Sequence, residues 1–114
     1  MPAPILAPLD APVTLRALAV AGLCAFVALC DGELGGQAVR AGDRLLVAAG
    51  GPVASGEVAV LAPRGHGRPV AGRVERGRLL GRFGEPCAAE RWSVVGPVVA
   101  VVAAEASAPA RAAA

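Results

Sequence analysis

The chain contains no lysine and no tyrosine. All 11 of its basic residues are arginines. Arginine keeps its proton in proteins, so a lysine base or a Schiff-base lysine is excluded for this chain alone. The only aromatic residues are Phe26, Phe83 and Trp92, too few to stack a run of bases. A net charge of only +2 lacks the basic stripe that phosphate neutralisation requires. Direct nucleic-acid binding is therefore not expected. His66 is the sole histidine, and the serines are Ser55, Ser93 and Ser107. Cys24, Cys30 and Cys87 are odd in number and irregular in spacing, which suits a reducing compartment. With His66 they match no standard zinc spacing. Neither a metal nor a cofactor is expected.

No apolar run reaches the roughly 20 residues that a bilayer-spanning helix needs. The longest, Ala17 to Cys30, also has the length of a secretory signal's apolar region, and Arg16 precedes it. Against export, prolines stand where a basic leader would be. The reading is cytoplasmic, with export the alternative.

At 114 residues the chain is one domain, long enough for a modest core. Residues 1–13 carry Pro2, Pro4, Pro8 and Pro12, which remove donors and fix φ, so an extended arm is expected. A short helix or turn through Thr14–Gly22 then leads to a buried strand over Ala25–Cys30. Short runs punctuated by turn residues follow: Arg44–Ala49, Glu57–Ala62, Val70–Glu75, Arg78–Phe83, Trp92–Val95 and Pro97–Ala103. Pro63–Pro69 and Arg76-Gly77 read as hairpin tips, and Gly42, Asp43 and Gly56 as turn residues. Such spacing indicates a mostly-β barrel or sandwich with hairpins over 14–103. Residues 104–114 have little to bury and read as a disordered tail.

Several motifs in order carry a family likeness. Leu29-Cys30-Asp31-Gly32-Glu33-Leu34 is followed by Val39-Arg40-Ala41-Gly42-Asp43-Arg44-Leu45-Leu46-Val47. Then come Gly56-Glu57-Val58-Ala59-Val60-Leu61, Val70-Ala71-Gly72-Arg73-Val74 and Val94-Val95-Gly96-Pro97-Val98-Val99-Ala100-Val101-Val102. This series resembles the C-terminal peptidase domain of LexA and UmuD and, more distantly, the signal peptidases. The resemblance implies a small β-barrel with a serine–lysine dyad. It places the nucleophilic serine on Glu33 and the methionine after it on Leu34. The lysine falls on Gly72, or on Arg73 if the register slips by one. A carboxylate is a poor acyl nucleophile, and a guanidinium cannot act as the base. The implied function is that of an inactive relative: a dimerisation or regulatory protein-binding module linked to transcription regulation or the DNA-damage (SOS) response. Its partner would be a second copy or a LexA-like protein. In that family the last strands form the dimer interface, which implies Val94, Val95, Val98, Val99 and Val101 here; a central core strand would use the same valines.

Glu33 and Arg73 either form an ion pair where the dyad would stand or are both solvated. Asp31, Glu33 and Asp43 fit turn chemistry better than a carboxylate cluster. The arginines from Arg64 to Arg82 fit a solvated sheet edge. The enzymatic alternative is a hydrolase using Cys30, with His66 as its only available histidine.

Overall fold

The computed structural model describes residues 2–9 and 18–104. The fold is mostly β and antiparallel. In chain order the strands are β1 (Leu6–Pro8), β2 (Leu23–Ala28), β3 (Gly32–Leu34), β4 (Gln37–Val39), β5 (Arg44–Ala48), β6 (Val58–Pro63), β7 (Val70–Glu75), β8 (Arg78–Leu80), β9 (Pro86–Cys87) and β10 (Trp92–Val102). One sheet runs β1-β2-β5-β10-β6-β7-β8-β9, and β3 and β4 form a separate hairpin.

The long sheet curls until its first edge meets β7. Ile5 bridges Val70, Leu6 N donates to Pro69 O at 2.9 Å, and Ala71 N donates to Pro4 O at 3.2 Å. Of the expected arm over residues 1–13, only 2–9 lie within the described residues, and Leu6–Pro8 among them is extended strand. This segment is not a separate arm, however, because it supplies the stave that closes the barrel. Leu6 is 0% exposed and pairs with Ala28 of β2. Proline is tolerated here because so short a strand needs few N–H donors.

The core follows strand alternation. Leu6, Phe26, Ala28, Leu45, Val47, Val60 and Ala71 point inward, and Leu34 and Val39 of the β3–β4 hairpin plug one end. Cys24 packs against this cluster as a small apolar side chain.

β10 is the long spine. Its first half, Trp92 to Pro97, pairs with β6, and its second half, Val98 to Val102, pairs with β5. Register shifts between Val94 and Gly96 and between Val98 and Ala100 let it bend from one neighbour to the other. The last two strand runs, expected to be joined or kinked at Gly96-Pro97, are one continuous strand with its register shifts on either side of that pair. Val95, Val98 and Val101 pack on the core, whereas Val94, Val99 and Val102 are exposed.

The expected hairpin at Arg76-Gly77 joins β7 to β8, with φ of 50° and 77° at the two turn residues. That is the conformation two-residue hairpins favour. Gly42 and Gly56 sit at turns with positive φ. Of the expected helix or turn over Thr14–Gly22, only 18–22 lie within the described residues, and 18–20 are helical. Residues 105–114 of the expected tail lie outside the described residues. Among the described residues no helix is long and apolar enough to cross a membrane.

Candidate functional site

A cleft of about 580 Å³ opens at the end of the barrel plugged by the β3–β4 hairpin. Its walls are the hairpin itself, the start of β6, the middle of β7 and the loop after β8. Glu33, Leu34, Gly72 and Arg73, the positions implied by the resemblance, all line it. Residues far apart in sequence are brought together because β7 pairs with β6, whose first residue, Val58, stands beside Gly35 of the hairpin.

Glu33 sits mid-strand in β3, opposite Ala38. Its carboxylate is exposed, and its backbone N donates to Pro2 O at 3.0 Å. Gly32 beside it has no room for a side chain, since a Cβ would stand 2.7 Å from Pro2 O and Pro4 N. The glycine thus lets the N-terminal segment run directly over β3. Leu34 is buried and belongs to the core.

Gly72 is closed to any side chain. A Cβ there would collide with the carbonyl oxygen of Leu80 and stand 2.9 Å from Leu61 Cδ1. Strand alternation puts Arg73 on the opposite face from Gly72, with Ala71. Arg73 is the only charged side chain that β7 lends to the cleft. Its guanidinium pairs with Glu75 at 3.5 Å, with both side chains about half exposed (51% and 46%). No ion pair joins it to Glu33, so the first of the two alternatives is not realised. An exposed pair of this kind contributes little to stability.

Arg82 closes the cleft's other wall. Its Nε donates to Ala3 O at 2.7 Å and its Nη2 to Cys30 Sγ at 3.7 Å. The guanidinium lies 5.0 Å from the Phe83 ring centroid, a cation–π distance. Cys30 Sγ also accepts from Ile5 N at 3.4 Å. The thiol therefore braces the N-terminal segment and does not line the cleft. His66 lies on the β6–β7 loop, in a separate hollow with Glu90 and Trp92, so Cys30 and His66 do not form a nucleophile–base pair.

No family model matches the chain, and no curated protein or solved structure matches it. The site must be read from its own chemistry.

The carboxylates divide as turn chemistry requires. Asp43, only 7% exposed, accepts Arg40 N at 2.9 Å through Oδ2 and Ala104 N at 3.2 Å through Oδ1. Asp31 Oδ1 accepts Ala41 N at 2.9 Å. Both accept backbone donors and neither lines the cleft, where Glu33 is the one carboxylate among the lining residues. Among the described residues no three histidine, cysteine or acidic side chains are grouped to hold a metal. Arg82 and the Pro2–Ala3 segment were the members of the site that sequence reasoning missed. No motif marks either one, and they meet only through barrel closure.

Proposed function

We propose that this chain is a non-catalytic, LexA/signal-peptidase-like β domain that works as a regulatory protein-binding or dimerisation module. The observation that carries this reading is the convergence of Glu33, Leu34, Gly72 and Arg73 on one cleft. They are two adjacent pairs, Glu33-Leu34 on β3 and Gly72-Arg73 on β7, and the resemblance implies that such pairs stand together. The chemistry at those positions supports the non-catalytic half of the reading. The nucleophile position holds a carboxylate, the lysine position admits no side chain, and the neighbouring arginine cannot release a proton.

A cleft of this shape without a nucleophile can hold a polypeptide segment without cutting it. The exposed valines Val94, Val99 and Val102 of β10 supply an apolar surface for a second copy or a LexA-like partner. Val95, Val98 and Val101 serve the core, so the dimerisation reading rests on the outward valines. A link to transcription regulation or the DNA-damage response belongs to the same proposal, by analogy of fold.

The test is the sedimentation mass of the chain, alone and mixed with an intact LexA-like protein. A homodimer or a mixed complex that Val99→Asp disrupts is the expected result. A monomer that ignores the partner overturns the reading.

A further inference from the structure

A second hollow of about 640 Å³ lies on the far side of the Arg82-Phe83 ridge. We propose that it binds a small apolar monocarboxylate, such as a medium-chain fatty acid, with Arg91 receiving the carboxylate. This site is separate from the cleft at Glu33 and does not depend on its reading.

The uncharged part of the lining is mostly apolar, with Val70, Phe83, Pro86, Ala88 and Trp92 among it. Phe83 is 71% exposed, and Trp92 is half-buried. Aromatic faces left in water are the surface that an apolar chain would cover with gain. The volume lies within the range of small-molecule sites, which combine apolar walls with few polar groups.

The charged groups at the hollow decide the sign of the ligand. Glu85 keeps its negative charge while its Oε1 accepts Phe83 N at 3.4 Å, but with Arg82 and Arg91 the lining is net positive. Arg82 is committed to Ala3 O and Cys30 Sγ. Arg91 is exposed, and its guanidinium makes no hydrogen bond or ion pair among the described residues. Its backbone, by contrast, is fixed. Arg91 N donates to Ala88 O at 3.0 Å, and Arg91 O accepts Arg64 N at 2.8 Å. A single uncommitted guanidinium on a fixed turn, beside apolar walls, matches a single carboxylate on an apolar chain. One guanidinium is too little for a polyphosphate, and no glycine-rich cradle of N–H groups lines the hollow.

Trp92 is the only tryptophan, so it reports on its own site. The full chain is titrated with decanoate, followed by Trp92 fluorescence and by calorimetry. The expected result is saturable binding, weakened about tenfold by Arg91→Gln, as loss of a charge-assisted hydrogen bond predicts. The uncharged analogue 1-decanol should bind the wild-type chain about tenfold more weakly than decanoate, and the Arg91→Gln chain no differently from wild type. Phe83→Ser should weaken both ligands. The absence of saturable fluorescence change and heat overturns the proposal. So does undiminished decanoate binding by a folded Arg91→Gln chain.

Discussion

Arg82 grips Ala3 from both ends of the residue. Its Nε donates to Ala3 O at 2.7 Å, and its carbonyl accepts Ala3 N at 2.9 Å. The same side chain reaches Cys30 and stacks on Phe83. One arginine therefore ties the first stave of the barrel to the loop that walls the cleft.

Truncating that side chain should loosen the barrel's seam. Arg82→Ala removes a charge-assisted bond and leaves a half-buried carbonyl short of a donor, at a cost of about 1.5–3 kcal/mol. Urea unfolding of the two chains measures the difference. Arg82→Lys should recover only part of it, because lysine cannot reproduce the fork that serves Ala3 and Cys30 together.

Rebuilding the dyad by motif position should fail. In Glu33→Ser/Gly72→Lys, any Cβ at Gly72 meets the Leu80 carbonyl, so even Gly72→Ala should lose about 1–3 kcal/mol from overpacking. Glu33→Ser/Arg73→Lys should fold normally, since Arg73 is half exposed. A solvated lysine stays protonated at neutral pH, so that chain should still not cleave peptides. Thermal melts and a peptide-hydrolysis assay on both variants check this.

Asp43 offers a test of turn chemistry against carboxylate catalysis. Asp43→Ala removes the carboxylate that accepts Arg40 N and Ala104 N and should cost about 2 kcal/mol or more. Asp43→Asn keeps one acceptor oxygen and should cost roughly half as much. Denaturant midpoints give the ordering, and equal losses for the two would contradict it.

Burial pushes the Cys24 thiol above its ordinary value near 9. The unfolded chain therefore loses this proton at lower pH than the folded one. The stabilisation is complete below the unfolded pKa and is lost as pH rises through the folded pKa. Cys87 adds in the same direction, through burial and the nearby Glu85 carboxylate. The urea midpoint should therefore fall as pH rises past the ordinary thiol value. Cys24→Ala should flatten part of that fall.

The strands that announce themselves in the sequence are those that alternate and end at clear turns. Val70–Glu75 and the Arg76-Gly77 hairpin lie where expected, and Arg44–Ala48 and Val58–Pro63 are shifted by no more than a residue at either end. β1 was hidden because its prolines argue against any ladder, yet a strand this short is tied mainly through the bonds of Leu6 and its neighbours. The β3–β4 hairpin was hidden by its size, although Gly35-Gly36, both with positive φ, is a hairpin signal. The cleft was legible only as an ordered set of motifs, which named Glu33 and Gly72/Arg73 but not what faces them. Arg82, Ala3 and Cys30 meet through closure of the barrel, and no local pattern records that meeting.

The bridge between Ile5 and Val70 also has a consequence in time. During synthesis the first stave leaves the ribosome long before the strand that will hold its outer edge exists. Leu6, which ends in a fully dry position, has only its β2 partner Ala28 beside it until β7 is made. The closing contact spans a long stretch of chain, and such contacts form slowly. The open barrel, with an unpaired first edge, is therefore the state most exposed to other chains.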